Sequence, residues 1–413
     1  MIVLPRSRLQ RCLMSLLAAG VCQVHAGDQP PVEVLHWWAA GGAPLNGVRA
    51  DLGRRGFAWK DSAPQGGEER KLLFAKARNG MGQLPDALQL HSFSLRESAA
   101  RYVSWDALAA AEHWDQVLPV PLQQAAKVGG HWRAVPLNIQ RSNWIWANKA
   151  IFDELKLTPP TTFDELLEVA RRVKAAGYLP LAHGTEPWLH TLMFDNAVLA
   201  VGGPVWYRKA LVEQDPVALA SPKMVTVFEQ VRALSRLAED NAKGRASTFA
   251  TDMVVSRKAA MQLMGDWTKG EFSKRGQQAR RDFICFPYPG TAGSYVFVAD
   301  LFAMPDLGPA RREGQQALAR TLMDPDTQMA FNLAKGSIPA RNDVPLDHYD
   351  DCARQSAHDL QAAAKQHTLV SRFVAETPEV LRNAVTAVVT QFVESDEPAA
   401  SAAARLQRAL RKS

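Results

Sequence analysis

Three tryptophans and four hydrogen-bonding side chains stand where strand-like or helical runs end. Together they could hold a small polar ligand that has apolar faces. Trp37 and Trp38 follow the strand-like run Val32–His36 and precede Gly41 and Gly42, and Trp267 closes Gly265-Asp266-Trp267 at the end of another such run. Flat aromatic surface of this kind suits sugar rings, whose C–H faces are apolar while their hydroxyls need hydrogen bonds. Gln89, His91, Asp300 and Lys335 could supply those bonds as donor, acceptor or both. Each residue also has an ordinary structural explanation. The tryptophans can be core, and Trp267 can staple a helix start. His91 can be a surface or satisfied core residue, Asp300 a turn cap, and Lys335 a solvated loop residue. It is their joint occurrence, in a chain without catalytic motifs, that argues for binding.

The signatures of catalysis are missing. The sequence has no Gly-x-Ser-x-Gly elbow, no His-Glu-x-x-His, no Gly-x-x-x-x-Gly-Lys phosphate cradle and no Cys-x-x-Cys pair. Gly41 and Gly42 lack the third glycine of a dinucleotide fingerprint. His183 and His190 are too far apart in sequence to make a metal pair, and the carboxylates Asp164 and Glu165 sit at an apparently solvated helix start. A glycosidase needs two carboxylates facing across a cleft, and no motif here supports one. The sequence therefore predicts a protein that is not an enzyme, with no metal site and no cofactor.

These residues sit in a chain of 413 residues, 47% hydrophobic and 22% charged, long enough for two or three domains. The net charge of +6 is spread among interleaved charges, which argues against nucleic acid as a partner. Beyond the first thirty residues no apolar stretch is long enough to span a membrane. Within them, Arg6, Arg8 and Arg11 precede the apolar run Cys12–Val24, and Val24-His25-Ala26 offers small residues at a cleavage site. That is the anatomy of a secretory signal peptide spanning residues 1–26, and it predicts a soluble exported protein. A lipoprotein signal at Cys22 would need a smaller residue than Val21 before it. Cleavage takes the charge from +6 to +3 and leaves two cysteines, Cys285 and Cys352. In an oxidising compartment these could form a disulfide or remain two buried thiols.

The elements that must position the polar residues read as follows. Strand-like runs at Val32–His36, Phe57–Lys60 and Pro85–His91 alternate with helical patterns, a β-α-β-α-β order that implies a parallel, doubly wound sheet. Its strand ends would carry Trp37, Trp38, Gln89 and His91 to one edge, where ligands of open α/β sheets sit. Val135–Ile139 and the aromatic run Ser142–Asn148 follow. Thr162 and Glu165 make a capping box for a helix over Phe163–Ala176, and further helices are expected at Leu189–Val201 and Lys223–Leu237. Ala259–Trp267, Phe283–Pro287 and Tyr295–Asp300 read as strands, residues 308–334 as helical, Lys335–Arg341 as a loop, and the remainder as mostly helix.

In this order and spacing the chain resembles the periplasmic sugar-binding proteins of ABC importers. It is similar to the large extracellular solute-binding group that includes maltose-binding protein, and within it to the glucose/mannose-binding branch. The matching stretches cover nearly the whole mature chain. They are His36-Trp37-Trp38 with Gly41-Gly42; Leu88–His91; Pro136-Leu137-Asn138 with Arg141–Trp144; Gly184–Trp188; Met264–Trp267; Asp300–Ala303; Lys335–Arg341; and Asp351–Ser356.

The resemblance implies a type II two-lobed α/β binding fold, each lobe a mixed or parallel sheet flanked by helices and joined by hinge crossings. It implies an N-lobe from residues 27–138 and 297–345, and a C-lobe from 139–296 with a helical part at 346–413. It implies a ligand site of Trp37, Trp38, Gln89, His91, Asn143, Trp267, Asp300 and Lys335, and a Cys285–Cys352 disulfide. The implied partners are a small-molecule sugar and inner-membrane permease subunits, with the receptor acting as a monomer; a periplasmic partner of a sensor kinase or chemoreceptor is the alternative. Two positions depart from the branch pattern, where Ala43 replaces a sugar-binding glutamate and Ala375 a cleft histidine. Each lost partner leaves a buried hydroxyl unpaired, at about 1–3 kcal/mol. The departures point away from plain glucose, toward a larger or differently substituted saccharide.

Overall fold

The computed structural model describes residues 29–38, 42–63, 67–238 and 246–411. The expected signal peptide, residues 1–26, and the Ala39–Gly41 part of the tryptophan turn lie outside them. Among the described residues no helix is long and apolar enough to cross a membrane.

The chain begins as the alternating pattern predicts. β1 (Val32–Leu35), β2 (Trp59–Asp61) and β3 (Ala87–Leu90) are separated by helices Leu45–Arg54 and Gly67–Arg78. β1 pairs in parallel with both β2 and β3. A small hairpin, β4 (Lys127–Val128) and β5 (His131–Trp132), precedes the wholly buried β6 (Val135–Arg141). β7 (Trp144–Asn148), β8 (Leu179–Ala182), β9 (Ala259–Leu263) and β10 (Phe283–Pro287) form a separate four-stranded sheet in the order β10-β7-β9-β8.

β11 (Tyr295–Ala303) brings the chain back, and β12 (Ile338–Pro339) and β13 (Leu369–Ser371) complete a seven-stranded sheet. Its order is β12-β6-β11-β3-β1-β2, with β13 alongside the start of β11. The first three strands are parallel as expected, but β11 runs antiparallel to β3 and β6, so the sheet is mixed. The reason is topological. β6 leaves this sheet for the other one, and β11 returns from it in the opposite direction.

Two lobes follow from these sheets. One core gathers Leu35, Leu88, Ile139 and Phe302 around the larger sheet. A second gathers Ile145, Met261, Phe194 and Phe392 around the smaller one, beside a cluster built on Trp144, Trp146, Phe272 and Phe283. The chain crosses between the lobes at Ser142-Asn143, between β10 and β11, and after β13.

Local chemistry explains most boundaries. Helix Phe163–Ala175 carries the expected capping box between Thr162 and Glu165. The helix expected at Leu189–Val201 extends over Pro187–Tyr207 and breaks at Gly203, whose φ of 74° precedes Pro204. The helical stretch expected over 308–334 is two helices, Pro309–Met323 and Pro325–Lys335. Pro325 has no N–H to continue a helix, and Asp324 turns out to cap the second one, accepting from the Thr327 N–H at 2.9 Å. Lys335 is therefore the last helical residue, not the first of a loop.

β13 was not expected. Helix Asp351–Lys365 also differs from the expected division at 346, because its Ala353, Leu360 and Ala363 pack into the first lobe's core while Cys352 reaches the Trp144 cluster. Cys352 forms a disulfide with Cys285 of β10, so this helix is tied to the second sheet while packed on the first lobe. Helices Glu379–Val393 and Ala399–Arg411 belong to the second core.

Candidate ligand-binding site

A cavity of about 800 Å³ opens between the lobes, and seven of the eight expected ligand residues line it: Trp37, Trp38, Gln89, His91, Trp267, Asp300 and Lys335. Their positions follow from the strand ends. β1 is followed after His36 by the tryptophan pair, β3 ends in Gln89 and Leu90 with His91 next, and Asp300 lies in β11 beside them. Lys335 is delivered by the end of its helix. Gly336, at φ 96°, stops that helix in the left-handed region, and a Cβ there would lie 2.6 Å from the Asp266 carbonyl oxygen. The missing side chain lets the Lys335 turn approach the Gly265-Asp266-Trp267 segment of the other lobe.

The centre of the floor is a buried polar network around Asp300. Its carboxylate accepts from the Gln89 side-chain amide, from Asn138 Nδ2 at 2.7 Å and from Gln140 Nε2 at 3.1 Å. Gln89 Oε1 in turn accepts from the Trp37 backbone N–H at 3.1 Å. Burial pushes the Asp300 carboxyl upward, and the Lys335 ammonium and the Asn138, Gln89 and Trp37 donors pull it back. Burial lowers Lys335, opposed by Asp300 and Asp266.

The aromatic residues divide between core and wall. Trp38 packs on Phe302 and Phe331 with ring centroids 5.7 and 5.1 Å away, so it closes the first lobe's core while lining the cavity. Trp37 faces His91 at 4.8 Å. Trp267 faces Trp188 at 6.4 Å on the other lobe. A Cβ on Gly265 would come within 2.2 Å of the Trp267 ring, so the ring lies directly over this glycine. His91 is held neutral: burial, then Arg382, Arg372 and Arg78, push its pKa down to about 3.

Asn143 does not reach the cavity. It is fully buried at the first crossing, donating to Thr291 Oγ1 at 3.0 Å and to the Ser294 carbonyl at 3.1 Å. Its Oδ1 accepts from Arg141 Nε at 3.1 Å and from the Val296 N–H at 3.2 Å. Those bonds use its amide to tie two interlobe segments together, leaving nothing for a ligand. Nor do the two departures fall on the cavity wall: Ala43 is exposed beyond the tryptophan turn, and Ala375 is buried with its carbonyl accepting from Ser92 Oγ. Val374, one residue earlier, lines the cavity instead.

Several lining residues were not foreseen, chiefly Arg70, Arg78, Trp188, Arg372 and Arg382. Trp188 lies in a stretch already matched to the binding-protein group, and that was the one usable signal. Among the described residues no cluster of His, Cys, Asp or Glu is arranged to hold a metal ion.

Asp266 carries a pH prediction. It accepts from the Arg141 N–H at 2.9 Å, and burial pushes its carboxyl up to about 7 against that bond and the Lys269, Lys335 and Arg141 charges. The folded chain thus holds this proton more tightly than the unfolded chain does. The associated stability is fully present below about pH 4 and is lost as pH rises through about 7. Asp266→Asn is expected to remove this slope, so the urea midpoint of the variant should gain on the unsubstituted chain between those pH values. A difference that stays constant with pH would contradict the assignment.

A deep cavity between two α/β lobes, floored by polar strand ends and walled by tryptophans, defines a solute-binding protein. The sequence bears this out: the profile described as bacterial extracellular solute-binding protein matches residues 82–320, and the chain belongs to that family. Curated relatives include a "Probable sugar-binding periplasmic protein" of Brucella suis, 39% identical over 383 residues and 91% of each chain. One of the same name from Mesorhizobium japonicum is 38% identical over 89% of this chain and 90% of that one. Among solved structures, the bacterial solute receptor AcbH superposes with a TM-score of 0.79 at 16% identity, covering 92% of this chain and 97% of that one. Maltose-bound MalE3 of T. maritima gives 0.71 at 16% identity, covering 92% and 99%. These structures share the two-lobed fold.

Proposed function

We propose that this chain is the periplasmic sugar receptor of an ABC importer. It captures a saccharide between its lobes and presents it to permease subunits in the inner membrane, making and breaking no covalent bond. The observation that carries this reading is the pairing of aromatic wall and polar floor in one cavity: Trp37 and the Asp300 network on one lobe, and Trp267 on the other. A ring stacked on Trp267 with hydroxyls over Asp300, Gln89 and Lys335 would satisfy both faces of a sugar. Binding across two lobes favours their closed arrangement, and hinge closure is what distinguishes loaded from empty receptors. The relatives named as sugar-binding periplasmic proteins support the substrate class and compartment. Residues 1–26 would act as the cleavable leader, and the mature chain would work as a monomer.

Two substitutions test the wall. Trp267→Ala removes the stacking face and is expected to weaken saccharide binding by about tenfold or more in calorimetric titration. Gly265→Ala leaves the indole but pushes it off its seat, and a loss of affinity with little change in thermal midpoint is expected. Unaltered affinity in both would remove Trp267 from the site.

A further inference from the structure

The cavity carries more positive charge than a neutral sugar would use. Six cationic side chains line it against two carboxylates, Asp300 and Glu379. Two of the cations are already matched: Arg78 by Glu379 at 2.6 Å, and Arg372 by the buried Asp195 at 2.7 Å. Asp300 is enclosed by side-chain amides. Of the other four, Lys71 has a partner of its own, and three have no carboxylate at ion-pair distance among the described residues: Arg70, Arg382 and Lys335.

Asp300 and Asp266 act on Lys335 from beyond ion-pair distance, and the remaining contacts of the two arginines bring no carboxylate against them. Arg70 donates to the carbonyls of Trp37 at 3.1 Å and Ala63 at 3.4 Å, while its Nε is buried without a partner. Arg382 donates to the carbonyls of Val374 at 3.2 Å and Thr377 at 2.5 Å. Lys335 makes no hydrogen bond or ion pair with a described residue. Carbonyl contacts orient a guanidinium without neutralising it. All three side chains are half-buried, and a charge partly withdrawn from water with no counter-ion in contact carries a cost. Burial first, and then the Arg382, Arg372 and Arg78 charges, keep His91 unprotonated in the same cavity.

We propose that the saccharide this receptor takes carries an anionic group, a carboxylate as in a uronic or aldonic acid or a phosphate ester, held against Arg382 beside His91. This rests on the reading of the cavity as a sugar site. Arg382 is the positioning cation because its guanidinium is fixed by two carbonyls of its own lobe and, among the described residues, has no carboxylate at ion-pair distance, Glu379 acting on it only from farther off. A planar fork so placed matches a carboxylate or phosphate with charge-assisted bonds. The sugar ring would keep its stacking on the tryptophans and its hydroxyl bonds to the Asp300 floor.

The test is calorimetric titration of the purified chain with neutral hexoses, the matching uronic and aldonic acids, and the matching hexose phosphates. An acidic sugar is expected to bind about tenfold or more tightly than its neutral counterpart, and that preference should shrink from low to physiological salt. Carboxylate and phosphate arms identify which anion it is. Arg382→Gln is expected to weaken the acid by about tenfold, and Arg382→Lys, which keeps the charge, to restore part of it. If a neutral sugar binds as tightly as every acid tested, or if Arg382→Gln does not discriminate, the inference fails while the receptor reading stands. If no saccharide of either kind binds folded protein, the receptor reading falls with it.

Discussion

Asp300→Ala is expected to cost about 3–5 kcal/mol of folding stability and to abolish saccharide binding. The carboxylate is buried in β11 and accepts from Gln89, Asn138 and Gln140. Deleting it takes the shared acceptor from the Gln89 and Gln140 amides, leaves Asn138 only Ser337 Oγ at 3.3 Å, and leaves the Lys335 ammonium without its principal counter-charge. The cost reaches the wall as well, because Gln89 also accepts from the Trp37 N–H and would lose its fixed orientation. Asp300→Asn keeps the volume but turns an amide donor toward other amide donors, so it should recover only part of the loss. Urea unfolding followed by far-UV circular dichroism measures the first effect, and titration of the surviving folded fraction measures the second. A midpoint close to that of the unsubstituted chain would mean that Asp300 is solvated and that the floor is not the closed network described.

Loss of the Cys285–Cys352 bond is the second large effect. The bridge spans 67 residues of sequence, and freeing a loop of that size should cost about 4 kcal/mol in the chain-entropy account. The position adds to the consequence. Cys285 lies in β10 of the second sheet, and Cys352 opens a helix whose Ala353, Leu360 and Ala363 sit in the first lobe's core. Breaking the bond is therefore expected to loosen the attachment between lobes as well as enlarge the unfolded ensemble. The Cys285→Ser, Cys352→Ser double variant should unfold at markedly lower urea than the oxidised chain, and adding reductant should shift the unsubstituted chain alone. Equal midpoints with and without reductant would contradict this.

The cavity floor was legible because its residues stand at strand ends. A tryptophan pair after Leu35, a Gln-x-His after a buried run and an aspartate within an apolar strand each break a hydrophobic pattern, and a broken pattern can be seen. The cations gave no such sign. Arg70 and Arg78 lie in helix Gly67–Arg78 and Arg382 in helix Glu379–Val393, where scattered charges look like any solvated face until the opposing lobe is in place. Asn143 was misplaced for the converse reason. It lies in a stretch matched to the family, but the crossing it occupies consumes both its donor and its acceptor. β13 is only three residues long, too short for alternation to show. Helix Asp351–Lys365 has a clear apolar face, yet a face does not say which of two cores it will meet. The helical reading of 308–334 did not place the break at Asp324-Pro325, which proline chemistry requires.

The central claim is that a saccharide binds between the lobes against the tryptophan wall. Trp37, Trp38, Trp188 and Trp267 all line that cavity, so tryptophan emission of the purified chain, titrated with a panel of neutral and acidic saccharides, tests it most directly. The account predicts a saturable change with at least one of them, accompanied by a rise in thermal midpoint from native-state binding and strongly reduced in Trp267→Ala. Folded protein whose emission and midpoint ignore every saccharide would contradict it.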